Sequence, residues 1–267
     1  AGSNNGGQKG FAGIAQYLYS TNKWRGWWTQ SVIGENYNPA MGFISRSDII
    51  STTPGITRFI RGDKLPFKNW LRAFEPSASA QFYHKASTGK LVERQYRFWP
   101  LYLNFQGGGY LGYGLNAQFQ NLTLPFQPLG ISIPIGEYNF TRQTVLFSTD
   151  RSNKLNASGD VTWGNYYDGK LNAMNLNLRF SPIPHIALGV SYNRNEFEGV
   201  GDQQKQRKID LFGVEGRFAV NPRLQLSAFL QHNSSNDLYN VNVRFSWEYQ
   251  PLSFIYIVYN RQDFELS

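Results

Sequence analysis

Residues 239–250 alternate without exception: Tyr239, Val241, Val243, Phe245, Trp247 and Tyr249 against Asn240, Asn242, Arg244, Ser246, Glu248 and Gln250. A period of two sends successive side chains to opposite faces of an extended strand. One face is wholly apolar and the other wholly polar, the pattern of a wall between two media. The pattern recurs. Leu224, Leu226, Ala228 and Leu230 alternate with Arg223, Gln225, Ser227 and Gln231. Met174, Leu176, Leu178 and Phe180 alternate with Asn175, Asn177 and Arg179. Leu155, Ala157, Val161 and Trp163 alternate with Asn156, Ser158, Asp160 and Thr162, and the run 111–120 behaves likewise. The periodicity predicts about fourteen strands, near 11–20, 24–34, 48–61, 69–86, 90–106, 109–121, 137–148, 154–164, 170–180, 185–196, 206–220, 223–232, 238–249 and 252–261. The phase slips near Trp99-Pro100, which predicts a bulge. Strand 252–261 is apolar on both faces, so the pattern leaves its register open.

The links between these runs sort into two classes. Ser181-Pro182-Ile183-Pro184, Asn221-Pro222 and Gln250-Pro251 are tight and carry proline, and 150–154, 106–109, 62–68 and 21–23 fall on the same side. The intervening links 34–47, 87–90, 122–136, 167–169, 195–205 and 232–237 are polar and mostly longer. Outer-membrane barrels have short turns at one end and longer loops at the other; a soluble meander has no reason to sort its turns this way. Ten-residue strands tilted about 40° reach roughly 25 Å, the height of an outer-membrane apolar band.

Composition agrees. Aromatic residues make up 16% of the chain and charged residues only 16%, yet mean hydropathy is −0.44. Neutral polar residues carry the polarity, as suits a wall with lipid on one side and water on the other. No run approaches the roughly 20 apolar residues of a spanning helix. Only helices and closed barrels satisfy backbone polar groups inside lipid, so a membrane reading means a barrel. There is no Cys, which excludes disulfides and thiolate metal sites. No signal-peptide pattern is visible. The expectation is an all-β antiparallel transmembrane β-barrel of a bacterial outer membrane, spanning residues 11–267 behind a flexible Gly/Asn-rich tail, 1–10. Its surroundings are the lipid bilayer and lipopolysaccharide.

Two segments carry a resemblance. Gly34-Glu35-Asn36-Tyr37-Asn38-Pro39-Ala40-Met41-Gly42-Phe43-Ile44-Ser45-Arg46-Ser47-Asp48 is one, with Asn36, Asn38, Pro39, Gly42, Phe43 and Arg46 as its signature. Trp247-Glu248-Tyr249-Gln250-Pro251-Leu252-Ser253, followed by Val258-Tyr259-Asn260, is the other. Both are similar to an uncharacterised barrel domain of outer-membrane proteins in certain Gram-negative bacteria, where it follows a carbohydrate-binding family-nine-like module. The resemblance spans residues 11–260 and implies a barrel but no activity. Family members carry earlier strands and a last strand ending in an aromatic residue, whereas this chain stops at Glu265-Leu266-Ser267. It therefore reads as most of a barrel wall and a piece of a larger one, unless Phe264 is a recessed terminal aromatic.

Chemistry has few candidates, and no catalytic, metal or cofactor site is expected. His84, His185 and His232 form no metal spacing and read as solvated or interfacial imidazoles. An envelope esterase would need His232 with Ser234 or Ser235. Gly107-Gly108-Gly109 is a hairpin turn, not a phosphate loop. Asp202 and Asp237 lack calcium-loop spacing. The net charge of +8 is spread along the chain without a stripe, against nucleic acid. Lys205-Gln206-Arg207-Lys208 is the one dense cluster, read as a solvated loop end or a contact for lipopolysaccharide phosphates. Asp160, Arg179, Glu215, Arg217, Arg223, Arg244 and Glu248 fall on polar faces and are expected to line a lumen. There they would either set the selectivity of a pore or form a cross-strand charge ladder. Fourteen closed strands would give a diameter of roughly 28 Å, with loops 34–46 and 122–136 long enough to fold inward. Three functions compete: a pore or transport-associated channel, a structural or docking barrel for other envelope proteins, and an envelope esterase.

Overall fold

A computed structural model describes residues 2–5, 8–39, 43–202 and 206–263. The alternating runs become long strands: β1 (Gly2–Asn5), β2 (Gln8–Ser20), β3 (Trp24–Ile33), β4 (Ile49–Arg58), β5 (Ile60–Arg61), β6 (Leu71–Phe74), β7 (Ser77–Lys85), β8 (Leu91–Phe105) and β9 (Tyr110–Leu122). They continue with β10 (Gly136–Ser148), β11 (Leu155–Tyr166), β12 (Gly169–Ile183), β13 (Ile186–Glu198), β14 (Arg207–Asn221), β15 (Leu224–Asn233), β16 (Leu238–Gln250) and β17 (Ser253–Asp263). From β2 to β17 they form one antiparallel sheet of sixteen strands. Two short 3-10 turns, at Gly62–Lys64 and Pro128–Gly130, are the helical elements among the described residues. No helix is long and apolar enough to cross a membrane, which says nothing of strands.

The sheet is an up-and-down meander of fourteen long strands, in the order β2-β3-β4-β7-β8-β9 and then β10 to β17. These match the fourteen runs expected from periodicity, with two differences. The runs 48–61 and 69–86 are each broken in two. Pro76 supplies no backbone donor, and β6 ends before it at Phe74. β5 and β6 pair with each other, and β6 pairs with the end of β8, so this turn is a larger excursion than the other links at its end of the sheet. The expected bulge is present, as the β8–β9 register shifts between Phe98 and Leu101. The stretch expected to be a tail, 1–10, contains β1 and the start of β2. Backbone groups pair there from Gly2↔Phe11 to Asn5↔Gln8. Among the described residues no register joins β2 to β17, and the sheet is not closed.

Register keeps the two faces apart. Leu178, Val190, Val214, Leu230 and Val241 lie in one cross-strand row, and Phe180, Leu188, Gly216, Ala228, Val243 and Tyr259 in the next. A one-residue slip in any pair would mix the faces. Many of these side chains are exposed, among them Leu178, Leu188, Val190 and Val214. Aromatic residues border the apolar band: Tyr192, Phe212 and Tyr239 toward the longer loops, Trp247 and Tyr249 toward the tight turns. Beyond the first border the same face carries paired charges, Arg194 with Glu196 at 3.2 Å and Lys208 with Asp210 at 3.4 Å.

The polar face is built differently. Trp27 lies over Gly55 and Trp99 over Gly114, where an added Cβ would come within 2.0 Å and 2.7 Å of ring atoms. The largest buried cluster sits at the longer-loop end of this face. Ile131 and Ile133 from loop 123–135 pack there on Phe140, Leu171, Phe197 and Ile209 from the strands, with Tyr167 and Val200 from neighbouring loops.

Candidate functional site

All seven residues expected to line a lumen fall on the polar face. Arg179 is opposite Gly189, which is opposite Glu215. One row nearer the tight turns, Arg217 and Arg244 flank Ser227 from either side. Arg223 meets Glu248 at the turn end, 4.0 Å apart, and Asp160 accepts from the Asn175 amide at 3.0 and 3.2 Å. A charge ladder is not what joins these strands. Of the seven, only Arg223 and Glu248 form an ion pair among the described residues. The ladder is made of amides instead: Asn193 donates to Asn175, Asn195 to Asn193 (2.9 Å) and Asn242 to Asn260. Neutral amides can both donate and accept along a row, whereas guanidiniums only donate. Arg244 lies over the Tyr256 ring at 4.9 Å.

Sequence reasoning missed two further arginines. Arg151, in the turn 149–154, joins Arg179, Glu215, Asn156 and Asn177 around an open recess of about 420 Å³. Arg142 is held between Phe140 and Tyr166 (5.5 and 5.4 Å), donates to Gln118, and has a buried Nε without a hydrogen-bond partner among the described residues. Both lie in alternating runs or turns whose pattern tells the face but not the neighbours.

Loop 122–136, expected to be able to fold inward, lies on the polar face. Ile133 is wholly buried, and its backbone bridges to Phe126. Three carbonyls of the loop are held from outside it or at its exit: Arg207 donates to Gly130 O (3.1 Å), Asp202 N–H to Ser132 O (3.0 Å) and Tyr138 to Pro134 O (2.9 Å). Burial pushes the Tyr167 phenol far above its ordinary value, so it remains the proton donor to Gln120. The basic cluster 205–208 is therefore engaged within the chain where it is described. Arg207 anchors the loop, Gln206 donates to Glu196 and Lys208 pairs with Asp210. Lys205 lies outside the described residues.

Loop 34–47, which carries the first motif, is partly described, and Gly42 lies outside. Arg46 pairs with Glu93 at 2.9 Å and lies over Tyr83 at 5.3 Å. Asn36 and its neighbour Tyr37 press on Gly10, where an added Cβ would meet Asn36 O at 2.4 Å. Phe43 is 90% exposed; Asn38 is exposed and Pro39 half-buried. Asp48 ends the loop and accepts from both Ser87 N–H and Ser87 Oγ at 2.7 Å. Hydrogen bonds from Ser87 hold its carboxyl below the ordinary 3.8. A carboxylate depressed in the folded state contributes above its unfolded pKa and loses that contribution as pH falls through the folded value. Asp48→Asn is thus expected to lower the protection of the Ser87 amide against exchange near neutral pH, and acid below the ordinary carboxylate range to lower that protection, relative to the intrinsic rate at the same pH, in the parent. Equal exchange in parent and variant at pH 7 would show that the contact does not hold the loop.

The histidines do not build a nucleophile. His232 pairs with Asp237 (2.9 Å) and stacks on Tyr239, while Ser234 accepts from Asp210 N–H and Ser235 donates to Asn233. His185 bonds Ala219 O at 2.7 Å, and His84 stacks on Phe82. Asp202 belongs to no group of three His, Cys, Asp or Glu placed to hold a metal among the described residues, and neither does Asp237. What the geometry does offer is a broad polar surface rich in arginines, of which Arg142, Arg151, Arg179, Arg217 and Arg244 form no ion pair among the described residues, backed by an apolar one. Comparison of the chain with protein-family models, with curated proteins and with solved structures returns no match in any of the three.

Proposed function

We propose that this sheet is the wall of an outer-membrane β-barrel whose polar face lines a passive, anion-preferring pore. One observation carries the reading: through the middle of the band from β11 to β17 register places apolar side chains opposite apolar ones, charges entering that face only toward the longer loops, at Arg194 opposite Met174 and Arg261 opposite Val241, while every charge of the expected lumen set is on the other face. Arg or Lys facing lipid at mid-depth costs about 2–4 kcal/mol, so the charged face belongs to water and the apolar face to lipid. Toward the tight turns the polar face carries Arg151, Arg179, Arg217, Arg223 and Arg244 against Glu215 and Glu248. That positive excess favours anions. Kinship with the uncharacterised outer-membrane barrel domain belongs to the same proposal, as does contact with lipopolysaccharide.

Reversal potentials in planar bilayers under a salt gradient test it. Chloride is expected to permeate about two-fold or more over potassium. Arg217→Glu with Arg244→Glu should lower that ratio below one. Cation preference in the parent, or no conductance at all, overturns the pore.

A docking wall is the second reading, favoured by the two outermost long strands. β17 carries Phe254, Ile255, Tyr256, Ile257, Val258 and Tyr259 in succession, all exposed, and β2 exposes Ile14 and Leu18 on its otherwise polar side. A silent bilayer, together with a second envelope protein retained at fixed stoichiometry, would select this reading.

A further inference from the structure

We infer that the recess between β11, β12, β13 and β14 binds a small organic anion that carries hydroxyl groups. Its volume, about 420 Å³, falls within the range of small-molecule sites. Three charged side chains line it, Arg151, Arg179 and Glu215, and none of them forms an ion pair among the described residues. Arg179 and Glu215 are nevertheless placed. Arg179 Nε donates to Ser181 Oγ at 3.3 Å, which fixes the root of the guanidinium and leaves its two terminal nitrogens for a ligand. Glu215 is drawn across Gly189, the residue between it and Arg179 in the row. A Cβ there would come 2.5 Å from Glu215 Cγ and 2.6 Å from Oε1.

The mixture of groups names the ligand class. Two guanidiniums match the geometry of a carboxylate, which they take in fork fashion. Glu215 repels that same carboxylate, so the glutamate must meet a different part of the ligand, one that donates hydrogen bonds. Asn177 and Ser191 line the same recess and extend the polar contacts. An inorganic anion offers Glu215 at most an acidic hydroxyl or two, as hydrogen phosphate does, and gives the Phe229 ring no carbon skeleton to pack on. A neutral polyol would leave both guanidiniums unused. An anion with a hydroxylated body satisfies every group, and the Phe229 ring at the margin offers its carbon skeleton an apolar contact.

This site rests on the reading that the polar face meets water. It is tested by calorimetry on the full chain refolded in detergent micelles, with glucuronate as the probe. Glucose, inorganic phosphate and alanine are the comparison ligands. Glucuronate is expected to bind about ten-fold or more tightly than each of them. Arg179→Gln should cost about ten-fold in glucuronate affinity, as removal of a charge-assisted pair does. Glu215→Gln should narrow the gap between glucuronate and phosphate. Gly189→Ala keeps every charge but displaces Glu215, and it should narrow the same gap, which keeps the test open if Arg179→Gln fails to refold. No binding of glucuronate overturns the inference, as does phosphate or alanine binding as tightly, or Arg179→Gln leaving the affinity unchanged. Binding is read without current, so the two readings fail separately. A silent wall that binds glucuronate loses only the pore, and a conducting wall that does not bind it loses only this site.

Discussion

Val243→Arg is expected to destabilise the protein in phosphocholine vesicles by about 2–4 kcal/mol, while Asn242→Arg, one residue away, costs about 1 kcal/mol or less. The new side chain is the same in both, and both sit in β16. Val243 lies between Ala228 and Tyr259 in the middle of the apolar band, so its arginine would enter hydrocarbon. Asn242 lies between Phe229 and Asn260 on the polar face and loses only its amide bond to Asn260. Urea titration of vesicle-inserted protein reads the difference, and moving both variants to detergent micelles should shrink it. Equal midpoints for the two variants in vesicles would mean that the apolar face is not the face that meets lipid.

Ile133→Asp is expected to release loop 123–135 from the polar face and to raise single-channel conductance. Ile133 is fully buried among Phe140, Tyr167 and Leu171, and a carboxylate there would be desolvated among apolar side chains, the guanidinium at the border of the cluster being that of Arg142, which lies over Phe140 and already donates to Gln118. Unpaired burial costs several kcal/mol, more than a loop of this length tied by a handful of hydrogen bonds can withstand. Ile133→Ala should act in the same direction with about 2–5 kcal/mol. Amide exchange at residue 133, whose N–H donates to Phe126 O at 2.8 Å, reports undocking. Faster exchange with unchanged conductance would show that the loop does not obstruct passage.

Much of this is legible in the sequence. Strict alternation over 239–250 sets which side chains share a face, and register follows from keeping the faces apart, so the long strands and the polar-face set emerge together. Even the bulge at Trp99-Pro100 follows from a slip of phase. The failures have a common cause in non-local pairing. Whether 69–86 is one strand or two depends on Leu71 meeting Phe105 and Ile60 meeting Phe74, neither of which is a local preference. The hairpin of β1 and β2 is seen in its backbone pairing, to which a hydrophobic pattern is blind. In the candidate site, alternation assigned Arg179 and Glu215 to one side. It could not say that Gly189 would let the carboxylate lean across, or that Arg151 would arrive from a turn. The seating of loop 123–135 left a fainter trace: Ile131 and Ile133 alternate with Ser132 inside a loop, an apolar pair with no reason to be there unless something covers it.

The order of the long strands has a topological consequence. Fourteen staves running alternately up and down leave β2 and β17 pointing in opposite directions. Any ring made by joining these margins with antiparallel pairing throughout must therefore insert either no strand or an even number of them. A single intervening strand would have to run parallel to one of its neighbours. The parity of the staves thus restricts every larger wall to which this sheet could belong, whatever supplies the remaining strands.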